Sequence, residues 1–215
     1  MQHGRPIKKF TLFVNHVSWV LFHPLFKILY KLKVELPDEL KKTKKPFIVI
    51  SNHKSPSDPW VLEFTLPFST YRQVTPLAAL AAQHFRIPVL KRLYKLGVIP
   101  LIYWLYDVVI LPRRKQLDGT IATLNSGRSV LVFPEGGINR QKGIKKFQRG
   151  ASYLQKHTGA PILPVAIRRT GKGPRRGCTV RWGKPLHASQ AFFIEEKEAA
   201  HWLREEVLRL YHGDH

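Results

Sequence analysis

The stretch PFIVISNHKSPSD occupies residues 46–58, and it decides the fold that we predict. Its first half is a short apolar run, which is typical of a buried β-strand. Its second half is rich in proline and serine, which favour a turn over a helix. His53 and Asp58 lie five positions apart in that turn. A histidine and a carboxylate at the end of a strand predict a general base and a group that orients it.

This pair has both a chemical and a structural interpretation. A neutral imidazole at position 53 takes a proton from an alcohol, and Asp58 holds the correct tautomer and stabilises the imidazolium. In the structural alternative, Asp58 caps the helix that is predicted to begin at Pro59. The two roles are compatible if each carboxylate oxygen performs one of them. No serine or cysteine nucleophile is required if the alcohol is itself a substrate.

Short apolar strands alternate with helices along the rest of the chain. Besides the strand at 46–51, we predict strands at 108–111, 129–133, 162–167 and 178–182. Helices are predicted at 59–66, 86–96, 116–126, 149–157 and 195–210. This alternation indicates an α/β domain with a mixed, largely buried sheet that is flanked by helices.

Residues 7–33 are predicted to form an N-terminal amphipathic helix or, because Pro24 interrupts them, a helix pair. Aromatic residues with flanking lysines are what a helix at a membrane interface needs. The alternative is a helix that packs on the core, and the charge of the chain favours the membrane. We therefore divide the chain into a membrane-associating segment at 1–36 and a main domain at 37–215.

The overall charge indicates an anionic partner. The chain has 36 Lys and Arg against 14 Asp and Glu, which gives a formal net charge of +22. Nucleic acid, an anionic membrane, and an acidic protein or cofactor all fit this excess. The single Cys178 excludes an internal disulfide and is compatible with the cytoplasm. The chain has no uninterrupted apolar run of about 18 residues, so the sequence does not predict a transmembrane helix.

A second motif, FPEGG at 133–137, ends the predicted strand at 129–133. Its glycines let the backbone approach a ligand closely, and cations such as Arg140 and Arg149 follow it. This pattern predicts a loop that positions a polar headgroup, with the cations binding its phosphate. The alternative is a tight turn in which Glu135 balances charge. Arg113 follows the strand at 108–111 at the same sheet edge, where ligands of α/β folds bind; alternatively, it is an exposed charge.

Four blocks, in order, resemble those of the glycerolipid acyltransferase family. They are NHKSPSD at 52–58, VVILPR at 108–113, FPEG at 133–136 and ILPVAI at 162–167. The resemblance covers roughly residues 46–187. One departure concerns the acceptor: the family commonly has Thr-Arg after FPEG, whereas Gly137 and Ile138 stand here. A phosphate contact is thus lost, or it is reassigned to Arg140 or Arg149.

The resemblance implies a role for each matching residue. His53 is the general base on the acceptor hydroxyl, and Asp58 is its partner. No metal or bound cofactor is implied, and acyl-CoA or acyl carrier protein serves as co-substrate. The residues that we predict to contact substrate are Asn52, Ser55, Arg113, Glu135, Gly136, Gly137, Arg140 and Arg149.

The function that follows is transfer of a fatty acyl group to the free hydroxyl of a lysophospholipid. Lysophosphatidic acid is the leading acceptor, and the enzyme is expected on the cytoplasmic face of a membrane, as a peripheral or monotopic protein. One alternative is an acyltransferase for another lysolipid, an ornithine lipid or a glycolipid. Others are a non-enzymatic basic protein that binds membrane or nucleic acid, and a catalytically dead membrane adaptor. We expect no nucleic acid partner, since a nucleic-acid-binding surface has no need of a His-Asp turn.

Overall fold

The computed structural model of the chain describes residues 9–29, 31–43, 46–66, 74–78, 88–105, 109–110, 116–170, 177–187 and 195–213. The helices are α1 (Lys9–Leu29), α2 (Glu39–Lys42), α3 (Asp58–Thr65), α4 (Pro88–Lys95), α5 (Val98–Leu105), α6 (Gln116–Asn125), α7 (Gly150–Thr158) and α8 (Glu196–His212). The strands are β1 (Leu32–Glu35), β2 (Ile48–Ser51), β3 (Val74–Ala78), β4 (Val109–Ile110), β5 (Ser129–Val132), β6 (Ile162–Thr170) and β7 (Gly177–Trp182).

The strands form one mixed sheet in the order β1-β7-β6-β2-β5-β3-β4. The five strands from β6 to β4 in that order are mutually parallel, whereas β7 runs antiparallel to β6. In the register of β2 and β5, Ile50 pairs with Val132. The turn that follows β2 and the loop that follows β5 therefore leave the sheet side by side at one edge, which is where ligands bind in parallel sheets. The predicted mixed α/β architecture is confirmed.

The sheet is buried on both faces, which explains why its central strands are continuous apolar runs. Val49 and Leu163 belong to a hydrophobic cluster that also contains the buried side chains of α3. Ile48 and Ile50 point to the other face, into a cluster with residues of α7 and α8. The rigid layers on both sides fix the carboxyl end of β2, where the His-Asp turn begins.

The structure corrects the end of the predicted N-terminal helix. Helix α1 is a single helix through Pro24, but it ends at Leu29, so the helix predicted to residue 33 is wrong there. Lys31 adopts a left-handed conformation with φ of 42°, which breaks the helix. Residues 32–35 then pair with β7 as part of the sheet. The segment that follows β1 contains the short helix α2, in which Leu40 is buried.

Strand β3 is the main element that the sequence analysis missed. It lies between β5 and β4 and carries Pro76. The residue before a proline prefers extended backbone, but proline also removes a hydrogen-bond donor, so the run did not predict a central strand. Helix α5 was likewise not among the helices predicted from the sequence. Of the predicted strand at 108–111, only β4 lies within the described residues.

Candidate active site

The carboxylate of Asp58 is the centre of the turn between β2 and α3. Asp58 is fully buried at the first position of α3. Its Oδ2 accepts hydrogen bonds from the backbone N–H groups of Lys54 at 2.6 Å and Ser55 at 2.7 Å. The imidazole Nδ1 of His53 lies 3.1 Å from the same oxygen. The carboxylate thus faces the turn that precedes it, and it closes that turn instead of capping the helix that follows.

Arg169 contacts the other oxygen of this carboxylate. It lies near the end of β6, and its Nη2 donates to Asp58 Oδ1 at 2.6 Å and to Ser57 Oγ at 3.1 Å. Burial alone would raise the pKa of Asp58. The hydrogen bonds from His53, Arg169 and the Ser55 backbone, with the charge of Arg169, outweigh burial and hold that pKa below its usual value. Asp58 is therefore an anion at neutral pH.

The His53 ring is held in one orientation from two sides. It stacks on Phe133 of the second motif, with ring centroids 4.0 Å apart and an interplanar angle of 18°. Because Nδ1 faces Asp58, the proton belongs on Nδ1 and the lone pair on Nε2. The side chain is 14% exposed, so it lies near the surface and is not sealed in the core. This is the geometry of a general base.

Glu135 joins the second motif to the first. Its Oε1 accepts the backbone N–H of His53 at 2.9 Å, and its Oε2 accepts that of Lys145 at 3.0 Å. Both oxygens of this buried carboxylate therefore bind protein backbone. Gly136 follows with φ of 73°, a left-handed conformation that favours glycine. A Cβ at that position would collide with the Gln148 side chain.

Asn52 is fully buried, and both ends of its side-chain amide bind the sheet. Its Nδ2 donates to the Ile167 carbonyl at 2.9 Å, and its Oδ1 accepts the Ile167 N–H at 2.8 Å. The amide thereby replaces one ladder pair between β2 and β6 and fixes the start of the turn. Ser55 is half-buried, and its hydroxyl lies 3.0 Å from that of Ser57.

The remaining predicted substrate contacts lie on the loop after β5. Gly136 and Gly137 are exposed beside the His-Asp turn, and Arg140 and Arg149 are exposed along the same loop. The predicted contact at Arg113 lies outside the described residues. Within the part of the chain that the structure describes, no group of three His, Cys, Asp or Glu residues is arranged to hold a metal ion.

Three positioning contacts were not predicted from the sequence. Besides Arg169, the Asn139 N–H donates to the His53 carbonyl at 2.7 Å. The ammonium of Lys54 donates to the carbonyls of Gln141 and Gly143 and so ties the two motif loops together. Burial lowers the pKa of this lysine. The one signal for Arg169 was its position, as a cationic hydrogen-bond donor directly after the apolar run at 162–167. Arg168 has the same signal, so the sequence did not distinguish the two arginines.

Comparison with known proteins adds independent information. The family model described as Acyltransferase matches residues 31–168. A 1-acyl-sn-glycerol-3-phosphate acyltransferase of Saccharomyces cerevisiae is 27% identical over 208 residues, covering 87% of this chain and 62% of the relative. A probable enzyme of the same name from Mycoplasma genitalium is 32% identical over 130 residues, covering 58% of this chain and 44% of the relative. The chain thus spans about half the length of these curated relatives.

A solved structure has the same fold. The crystal structure of the 1-acyl-sn-glycerophosphate (LPA) acyltransferase from Thermotoga maritima aligns with a TM-score of 0.62 and 21% sequence identity. The alignment covers 95% of this chain and 88% of that one. At this identity the likeness concerns the arrangement of helices and strands.

Proposed function

Because the chain belongs to the acyltransferase family, we propose that it transfers a fatty acyl group from an acyl thioester to the free hydroxyl of a lysophospholipid. The observation that carries the proposal is the His53–Asp58 pair, in which Nδ1 faces a buried carboxylate and Nε2 keeps its lone pair. An ester-forming reaction with an alcohol acceptor needs such a base, and it needs no protein nucleophile.

This geometry supports the following reaction. The Nε2 atom of His53 takes the hydroxyl proton as the acceptor oxygen attacks the thioester carbonyl. The resulting imidazolium is stabilised by Asp58, whose pKa is low enough that it does not take the proton itself. The tetrahedral intermediate collapses, the carbon–sulfur bond breaks, and the imidazolium returns its proton to the thiolate. Acyl-CoA or acyl carrier protein supplies the thioester, and no cofactor enters a step.

Lysophosphatidic acid is the proposed acceptor, giving phosphatidic acid as product. Two features support it: the acceptor for which the relatives are named and the exposed cations on the loop after β5, which suit a phosphate monoester. These cations are Arg140, Lys142, Lys145, Lys146 and Arg149. From the resemblance of its sequence block to that of the family, we propose Arg113 as a further contact to the acceptor's phosphate.

A second candidate is an acceptor without a phosphate monoester, such as another lysolipid, an ornithine lipid or a glycolipid. The observation that favours it is the exposed Ile138, which stands where the family commonly has arginine.

The other predicted substrate contacts fall into two groups, those exposed beside the His-Asp turn and those that bind the protein itself. We assign Gly136 and Gly137 to close approach of the substrate, and Asn52, Ser55 and Glu135 to positioning of the turn.

The proposed site of action is the cytoplasmic face of a membrane. No helix within the described residues is long and apolar enough to span a bilayer. Helix α1 nevertheless exposes large apolar side chains, among them Phe13 at 64% and Ile28 at 75%. Its Phe10 ring lies 5.9 Å from the ring of Trp104 on α5, so both helices contribute to one apolar surface. Basic residues around such a surface favour anionic lipid.

We accordingly propose that the N-terminal segment, predicted at 1–36, associates with the membrane through α1 as a peripheral or monotopic segment. The acyltransferase domain, predicted at 37–215, extends back to include β1, because β1 pairs with β7 in its sheet. Flotation with liposomes tests this division. The full chain should float with vesicles that contain anionic lipid, and Phe13→Asp with Ile28→Asp should weaken flotation at unchanged fold. A double variant that floats as well as the wild-type protein would contradict the proposal.

An acceptor panel tests the proposed reaction. Thioester consumption and ester product are measured in detergent micelles with a fatty acyl-CoA and, separately, with an acyl carrier protein. Acceptors are lysophosphatidic acid, a lysolipid with a phosphodiester headgroup, and an ornithine lipid precursor. Turnover highest with lysophosphatidic acid supports the first candidate, and turnover only with another acceptor supports the second. Absence of turnover with every acceptor and both donors would contradict an acyl transfer function.

A further inference from the structure

Arg169 contacts the His53–Asp58 pair, but the proposed reaction gives it no role. It extends from the end of β6 towards the turn after β2, and its ion pair with Asp58 is buried: the two side chains are 16% and 0% exposed. The two residues are 111 positions apart in the sequence, but Nη2 of Arg169 lies 2.6 Å from Oδ1 of Asp58. Because this oxygen of Asp58 is fully buried, the guanidinium can influence the reaction through the carboxylate that it contacts.

We propose that Arg169 is a positioning residue that sets the pH range in which His53 acts as a general base. The proposal rests on the acyl transfer function above. Asp58 stabilises the imidazolium form of His53, whereas the guanidinium on the far side of the carboxylate opposes it. Arg169 thus limits the attraction that Asp58 exerts on a proton at His53. It keeps the base neutral, and therefore active, further into the acidic range.

The other charged groups near the pair do not replace this effect. The ammonium of Lys54 in the turn donates to the carbonyls of Gln141 and Gly143 and makes no ion pair with Asp58, although the charge of Asp58 still acts on it. From the loop after β5, Glu135 faces the backbone of His53 and of Lys145. Cys178 lies opposite Arg169 on β7, and burial raises the pKa of its thiol to about 11, so it stays neutral.

The neighbouring Arg168 provides a matched control. It has the same charge and lies one position earlier on β6, where its side chain is exposed and points to the opposite face. Removing either charge changes the net charge of the protein equally. Only removal of Arg169 changes the charge next to Asp58.

The experiment compares pH–rate profiles of kcat/KM for wild type, Arg169→Gln, Arg169→Lys and Arg168→Gln. Glutamine removes the charge but keeps a polar side chain, and lysine keeps the charge. The acidic limb of the Arg169→Gln profile should move to higher pH by about one unit. On that limb kcat/KM should fall about tenfold, and it should recover at alkaline pH. Arg169→Lys should restore the wild-type profile, and Arg168→Gln should leave it unchanged.

Two results would overturn the proposal: an equal loss of rate by Arg169→Gln at every pH, or the same displacement in Arg168→Gln. If circular dichroism shows that Arg169→Gln does not fold, the pH–rate profile of Arg169→Lys becomes the test. A displaced acidic limb in that variant would overturn the proposal. A pH titration of the His53 ring by NMR with ¹⁵N-labelled histidine separates this inference from the proposed function. The ring should protonate at higher pH in Arg169→Gln even if wild type turns over no acceptor, and coincident titrations would refute the role.

Discussion

Glu63 is a buried carboxyl group in α3 whose cost to stability depends on pH. It is 4% exposed, and among the described residues its Oε1 has no hydrogen-bond partner. Burial raises its pKa from 4.5 to about 8, so the folded protein holds a proton there that the unfolded chain releases. Between these two values stability falls as pH rises, by about 1.4 kcal/mol for each pH unit, and it levels off above the folded value.

The Glu63→Gln variant removes this dependence. From pH 5.5 to pH 8.5 wild type should lose about 3 kcal/mol of unfolding free energy more than the variant does. Any constant cost of burying the amide cancels when the two pH values are compared. Urea unfolding followed by tryptophan fluorescence at both pH values measures the difference, with the exposed Glu198→Gln on α8 as control. Parallel pH dependence of wild type and Glu63→Gln would refute the reasoning.

Three further predictions concern the two motif loops. Asn52→Ala leaves both backbone groups of Ile167 without their partner, so urea unfolding should show a loss of about 2–4 kcal/mol; an unchanged midpoint would contradict that role. Gly136→Ala should cost about 1–2 kcal/mol in the same assay because of its positive φ, and Gly137→Ala should cost far less. Ile138→Arg should raise kcat/KM for lysophosphatidic acid relative to phosphodiester lysolipids; an unchanged preference counts against a reassigned phosphate contact.

Much of the fold could be predicted because its central strands are buried on both faces. Runs such as 46–50 and 162–167 are apolar throughout, and the sheet confirms them as β2 and the first part of β6. The family resemblance drawn from the four ordered blocks is confirmed as well. Strand β1 was missed because Leu32 continues the helical spacing of apolar residues in the helix predicted at 7–33. Only its pairing with β7, nearly 150 positions later, makes it a strand.

In the site, contacts between residues close in sequence could be predicted, whereas contacts between distant residues could not. His53 and Asp58 are five positions apart, so the sequence alone predicted their proximity. The Asp58–Arg169 pair joins residues 111 positions apart and depends on how far β6 extends past β2. Asn52 was expected at substrate because it belongs to the motif, whereas its amide completes the sheet. Side-chain direction at the end of a strand depends on tertiary packing, which periodicity does not encode.

The central claim is that His53 is the base of an acyl transfer reaction. The most direct measurement is kcat/KM for acyl transfer to lysophosphatidic acid by wild type, His53→Ala and the exposed His201→Ala, with folding checked by circular dichroism. His53→Ala should lose at least about a hundredfold, because general-base catalysis contributes about 10²–10⁴ in rate, and His201→Ala should match wild type. A folded His53→Ala that transfers acyl groups at the wild-type rate would contradict the account.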